Sequence, residues 1–133
     1  MPKVSPDSAP NRSTTDRYES RTDEVDGITI AFERYTADAD FGPLFRGLPD
    51  DRCQCPHWGF VRRGRLVYRY ADGDDEITAG EAYYARPGHI SVVYAGTELV
   101  EFSPSVELAT TSAAIARNRA AGVEPAVPPN RMR

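Results

Sequence analysis

Several things are scarce in this chain, and each scarcity excludes something. Among 133 residues there are two cysteines, two histidines and one tryptophan. Lys and Arg number 16 against 20 Asp and Glu, for a net charge of −4. That balance argues against a generic binder of nucleic-acid phosphates. No apolar run approaches the ~20 residues that a membrane-spanning helix needs, so no membrane contact is expected. The opening "MPKVSPDSAPNRSTTDRYES" contains no apolar stretch of the kind that forms a secretory signal, and the expectation is a cytoplasmic protein. Cys53 and Cys55 are too few for a disulfide framework. One residue apart on extended backbone they point the same way, a poor geometry for bridging each other. Free thiols or metal-bound thiolates in a reducing compartment are expected instead.

The length suits one domain with a real core. Residues 1–24 are Ser, Thr, Pro, Asp and Arg with little apolar content, and the composition predicts a disordered arm. Residues 123–133, containing "EPAVPPNRMR", predict a flexible Pro-rich tail. Between them the pattern alternates with period two. "GITIAFERY" puts Ile28, Ile30 and Phe32 on one face, and "RLVYRY" puts Leu66, Tyr68 and Tyr70 on one face. Asp72-Gly73 is a hairpin signal. "EAYYA", with Tyr83 and Tyr84 on opposite faces, is a short strand, and "ISVVYAGTELVEFSP" reads as two more. Short strands at this spacing predict an all-β sandwich or barrel. "SVELATTSAAIARNRAAG" departs from the pattern and predicts one C-terminal helix stopped at Gly122. The predicted domain thus spans residues 25–122.

The scarce residues are gathered in "CQCPHWGF", Cys53 to Phe60. Six residues lead from His57 to Gly64, and five lead from Gly80 to "RPG". These spacings, with the strands "RLVYRYADGDDEITAG" between them, resemble the two motifs of the cupin superfamily over residues 27–104. The family patterns are G-x5-H-x-H-x3-4-E-x6-G and G-x5-P-x-G-x2-H-x3-N. The resemblance implies a double-stranded β-helix, or jelly-roll barrel, with a small-molecule cavity at its mouth. It also implies a homodimer paired through sheet edges.

The family's metal ligands are not carried over. His57 falls at the family's glutamate, and the two histidine positions fall at Asp51 and Cys53, or at Asp50 and Arg52. In the second motif Arg86 stands for the proline, Ser91 for the third histidine and Ala95 for the asparagine. A metal site has to be argued from the residues present. On an extended strand Cys53, Cys55 and His57 share one face, and His89 has the parity of Ser91. Cys53, Cys55, His57 and His89 then form a Cys2His2 set for a divalent metal, for which zinc is the natural choice. Pro56 can twist the strand and spoil that parity. The alternative is a metal-free pocket in which the buried thiols act as small hydrophobes.

Trp58 has the opposite parity and reads as a packing aromatic. Glu101 lies between apolar neighbours, on a solvated face or inside the barrel. The functional expectation is a metal-dependent isomerase, cyclase or lyase acting on a small oxygenated metabolite. The alternative is a non-catalytic binding or sensing domain with a structural metal or none. No catalytic acid or base, and no substrate, is legible.

Overall fold

A computed structural model describes residues 3–129. In chain order they form β1 (Asn11–Thr14), β2 (Tyr18–Val25), β3 (Ile28–Tyr35), β4 (Ala39–Asp40), β5 (His57–Arg63), β6 (Arg65–Tyr70) and β7 (Gly73–Thr78). After these come β8 (Ala82–Ala85), β9 (Ile90–Val93), β10 (Glu98–Pro104) and the helix α1 (Ser105–Ala120). Two antiparallel sheets result, one of six strands in the order β1-β2-β3-β10-β5-β8 and one of four in the order β4-β9-β6-β7. The all-β expectation with a single C-terminal helix holds.

The core sits between the sheets. Leu66, Tyr68 and Tyr70 of β6 face Val61 of β5, Leu99 of β10 and Tyr83 of β8 in one buried cluster. The 3-10 turn Gly42–Phe45, in the long β4–β5 connection, drives Leu44 and Phe45 into the same cluster. Helix α1 buries Thr111 and Ala114, and Asn118 near its end donates to the Leu44 carbonyl at 2.8 Å. Gly122, at φ +87°, ends the helix as expected, its N–H bonding the Arg119 carbonyl.

Two expectations need correction and a third becomes more specific. Residues 11–25 are not an arm: β1 and β2 are two strands of the larger sheet, and β2 pairs with β3 over eight residues, from Tyr18↔Tyr35 to Val25↔Ile28. The turn between them is Asp26-Gly27, both at positive φ (52° and 80°), the conformation of a tight hairpin that suits the twist of its strands. Polar residues form these strands because their inner side, Ser20 and Thr22, lines a cavity rather than a dry core. The tail is tied as well: Pro125 is buried, and Ala126 exchanges two backbone hydrogen bonds with Asp40, at 2.8 and 2.9 Å. Positions 130–133 lie outside the described residues. Finally, Ile28, Ile30 and Phe32 do share a face, but it is the outer one. Thr29, Ala31, Glu33 and Tyr35 face inward.

Candidate functional site

Three of the four predicted ligands converge inside the barrel. Ligand atoms of Cys53, His57 and His89 lie within 4.8 Å of one another, and all three residues are buried. Cys53 reaches this position by backbone pairing. It forms an isolated antiparallel bridge with His89, the Cys53 N–H donating to the His89 carbonyl at 2.9 Å. His57 is the first residue of β5 and is held inward by strand parity. His89 follows Gly88, whose φ of +95° turns the chain so that the imidazole enters the barrel. Arg86 secures that turn by stacking over Tyr70, 3.9 Å from the ring centroid, and pairing with Asp72 at 2.8 Å.

Cys55 does not join them. From Cys53 to Pro56 the chain is not extended strand, so the alternation that placed both thiols on one face is lost at the proline, which cannot donate to a ladder. The Cys55 thiol donates instead to the Pro56 carbonyl at 3.4 Å. Burial pushes its pKa up to about 12, as suits an inert packed thiol. Trp58 is half-exposed on the outer face, its ring 5.1 Å from that of Tyr84.

The imidazoles are oriented for ligation. His89 Nδ1 donates to the Arg86 carbonyl at 2.8 Å, which leaves Nε2 with its lone pair, buried and without a hydrogen-bond partner. Burial, and then the neighbouring His57, lower the His89 pKa to about 4 and hold the ring neutral. His57 Nδ1 meets Ser103 Oγ at 2.7 Å and lies 3.5 Å from Glu101 Oε2, while its Nε2 is 3.8 Å from Cys53 Sγ. Sulfur and nitrogen ligands of a tetrahedral zinc stand about 3.5 Å apart, given bonds of ~2.3 and ~2.0 Å. Each ring thus fixes Nδ1 on an outer partner and frees Nε2, the arrangement typical of metal-ligating histidines. The donor set fits a divalent metal. Cys53, whose pKa burial raises, shares a 3.2 Å hydrogen bond with Thr111 of α1, so the helix closes the site.

Beside this group lies a cavity of about 420 Å³ running between the sheets toward β1 and α1. Glu101 faces it and accepts hydrogen bonds from Tyr68 (2.7 Å) and Tyr83 (2.6 Å), settling the choice left open by the sequence in favour of the interior. Burial first, and then Glu101, raise both phenols' pKa values, so they stay protonated donors. Gly59 makes this packing possible, since a Cβ there would collide with the Tyr83 ring. Glu33, also facing the cavity, has its carboxyl raised to about 8 by burial and by Glu101, against the lowering effect of the Tyr35 hydroxyl. Sequence reasoning missed Glu33, Ser103 and Thr111. Glu33 shares parity with Ala31 and Tyr35 in "AFERY", a signal hidden by the stronger apolar alternation on the opposite face.

Among solved structures, the fold superposes on a protein of unknown function from Rhizobium leguminosarum with a TM-score of 0.55 and 16% identity, covering 77% of this chain and 94% of that one. It also superposes on Bacillus subtilis oxalate decarboxylase, with a TM-score of 0.51 and 13% identity, over 71% of this chain and 27% of that one. The fold is that of the cupins. A third cupin-like structure, a protein of unknown function from Vibrio parahaemolyticus, matches with a TM-score of 0.50 and 12% identity, over 70% of this chain and 95% of that one. The cupin barrel spans about a quarter of the oxalate decarboxylase chain. No family model and no curated sequence matches the chain.

Proposed function

We propose that this cupin barrel is a metal-dependent enzyme of the isomerase, cyclase or lyase type, acting on a small oxygenated metabolite. The observation that carries the reading is the His89 Nε2 atom, buried and unpartnered beside Cys53 and His57. A neutral imidazole nitrogen left unpaired in a polar site incurs a desolvation cost that a metal ion would remove. Cys53, His57 and His89 would hold the ion, and the mixed sulfur and nitrogen donors favour zinc. With Cys55 turned away, three protein ligands remain, the number found in catalytic rather than closed structural zinc sites. A zinc so held polarises a carbonyl or activates water.

The surrounding residues supply the rest. The Tyr68 and Tyr83 hydroxyls keep the Glu101 carboxylate facing the cavity, with its Oε2 3.5 Å from His57 Nδ1, where it supports that ring. Ser103 orients the His57 ring through its 2.7 Å contact with Nδ1. The cytoplasm suits the site, because both cysteines are free and buried and a reducing environment keeps them so. No helix among the described residues is long and apolar enough to cross a membrane.

Metal analysis of the purified wild-type chain tests this reading, with cobalt substitution as a second measurement. The expected result is one metal per chain and, in the cobalt form, a thiolate-to-metal charge-transfer band from Cys53. Protein grown with metal available but purified with far less than one equivalent would remove the proposal.

The partner expected is a second copy of the chain, and the surface favoured is a sheet face rather than an edge. Tyr84, Trp58, Phe102 and Ile30 form a continuous outward row across β8, β5, β10 and β3. Phe60, Val100 and Phe32 form the next row. Tyr84, Trp58, Phe60 and Phe102 are 40–51% exposed. Four aromatics of ~150–250 Å² leave on the order of 400 Å² of ring surface in water, about half of what one partner of a standard interface buries. Beyond the apolar rows runs Glu19, Arg34, Glu98 and Arg63, of alternating sign. A face carrying both signs in alternation can complement itself about a two-fold axis. Light scattering is expected to give about twice the 14.7 kDa chain mass, and the single-chain mass for the double variant Trp58→Lys, Phe102→Lys. A wild-type chain of single mass would refute the pairing.

A further inference from the structure

The cavity's charge is unbalanced. Among the described residues its lining includes two carboxyl side chains, Glu33 and Glu101, one guanidinium, Arg119 on the last turn of α1, and the imidazole of His57. Eight serine and threonine side chains line the same space. Glu101 is fully engaged, with two phenols on Oε1 and His57 beside Oε2. Glu33 is not. Its Oε1 accepts the Tyr35 hydroxyl at 2.9 Å, and no other hydrogen-bond partner exists for it among the described residues. Glu33 is partly exposed, and the surface it retains borders the cavity.

Position adds to this. Glu33 pairs in register with Leu99, whereas His57 abuts Ser103, four residues further along β10. At ~3.4 Å per residue the two sites are offset by roughly 14 Å along the strand. Glu33 therefore sits at the opposite end of the cavity from the metal-binding group. A carboxylic acid enclosed beside another carboxylate keeps its proton, as its raised pKa of about 8 reflects. Its free oxygen is then a hydrogen-bond donor aimed at whatever fills the cavity.

We propose that Glu33 is a ligand-recognition group, and that the cavity takes an uncharged ligand whose carbonyl, ether or hydroxyl oxygen accepts the Glu33 hydrogen bond, rejecting carboxylate and phosphate ligands. The inference rests on the small-molecule reading above and is independent of the metal. The rejection follows from charge. An anion entering this space meets the Glu101 carboxylate, and of the described lining residues only the Arg119 guanidinium carries a fixed positive charge. An uncharged oxygen-rich molecule meets a donor at Glu33 and hydroxyls along the walls. The titratable groups that interact with Glu33 are Tyr35 on its own strand, Glu101 on β10 and Tyr83 on β8, and Tyr18 on β2 and Arg119 on α1 line the same cavity. Tyr35 is raised well above the ordinary phenol range by burial and Glu33, and so does not titrate in the window below.

The test offers lactate, mandelate and gluconate to the 15N-labelled full chain, each as the carboxylate and as the primary amide. Binding is read from backbone resonances of the cavity strands, with purified and with chelator-treated protein. At pH 6.5 at least one amide is expected to bind at least tenfold more tightly than its carboxylate. At pH 9.5 the protonated fraction of Glu33 falls roughly thirtyfold, and amide affinity is expected to fall at least tenfold. Glu33→Gln, which keeps a neutral donor, is expected to bind the amide equally at both pH values, and Glu33→Ala to bind it at least tenfold more weakly. Carboxylates that bind as tightly as their amides would overturn the proposal. So would a flat wild-type pH profile, or a set in which neither form moves a cavity resonance. If either variant fails to fold, the wild-type comparison decides alone. A chain that holds no metal but discriminates in this way retains the Glu33 assignment, and a metal-loaded chain that does not discriminate loses only that assignment.

Discussion

Replacing His89 with alanine is expected to lower bound metal from one equivalent to less than about a tenth after dialysis, with affinity reduced at least a hundredfold. Removing an outer hydrogen-bond partner of a ligand already costs ~10–100-fold in affinity, and His89→Ala removes the ligand itself. The same loss is expected for His57→Ala and Cys53→Ser, because the three ligand atoms form one group within 4.8 Å. Cys55→Ser is the internal control. Its thiol is directed at the Pro56 carbonyl, outside that group, so the serine variant is expected to keep one metal per chain. Elemental analysis of the four variants, with circular dichroism as a check on folding, separates the outcomes. A folded His89→Ala that keeps its metal would sink the site. Loss of metal in Cys55→Ser would restore the four-ligand set that strand parity suggested.

Deleting residues 1–24 is expected to abolish cooperative folding. The deletion removes two of the six strands in the larger sheet, and with them the eight-residue pairing of β2 to β3. It also removes Tyr18, whose ring stacks on Tyr35 at 5.3 Å, and opens the cavity wall formed by Ser20 and Thr22. Exposing a full edge and one side of the interior costs an amount comparable with the ~5–15 kcal/mol that holds a domain together. Removing only residues 1–4 is expected to leave the thermal midpoint within about 1 °C, since the neighbouring Ser5 and Ser8 are exposed and bond mainly to each other. Calorimetry distinguishes the two. A 1–24 deletion that melts like the full chain would mean that β1 and β2 contribute nothing to the barrel.

Composition failed at the N-terminus for a physical reason. It measures whether a segment can bury apolar area, and β2 is held by backbone pairing to β3 with a hydroxyl-lined inner face. The Asp26-Gly27 dipeptide ahead of "ITIAF" was the available signal, of the same kind as Asp72-Gly73, which correctly marked the β6–β7 turn. Periodicity was right about which residues share a face in β3 and could not say which face is inside. Ile28, Ile30 and Phe32 alternate as a buried side would, yet they belong to the outer apolar surface, while Glu33 faces in. Period two fixes relative orientation alone. Glu101 shows the same limit: its parity with Leu99 was legible, and its inward aim was decided by Tyr68 and Tyr83 from other strands.

The chain by itself determined β3 and the strands from β6 to β10, the helix that follows and its stop at Gly122, because alternation, turn residues and helix stops are local properties. It also singled out Cys53, Cys55, His57 and His89, by their rarity and spacing. Only the tertiary structure decided that Cys53, His57 and His89 meet and that Cys55 does not join them. Cys53 and His89 are 36 positions apart and are joined by a backbone bridge that no local pattern encodes. Pro56 reverses the simple parity only once the flanking strand is in place. The cavity is the most non-local feature of all, since its walls come from both sheets and the helix. The raised pKa of Glu33 comes from long-range packing that buries it beside Glu101, a proximity absent from the linear order of residues.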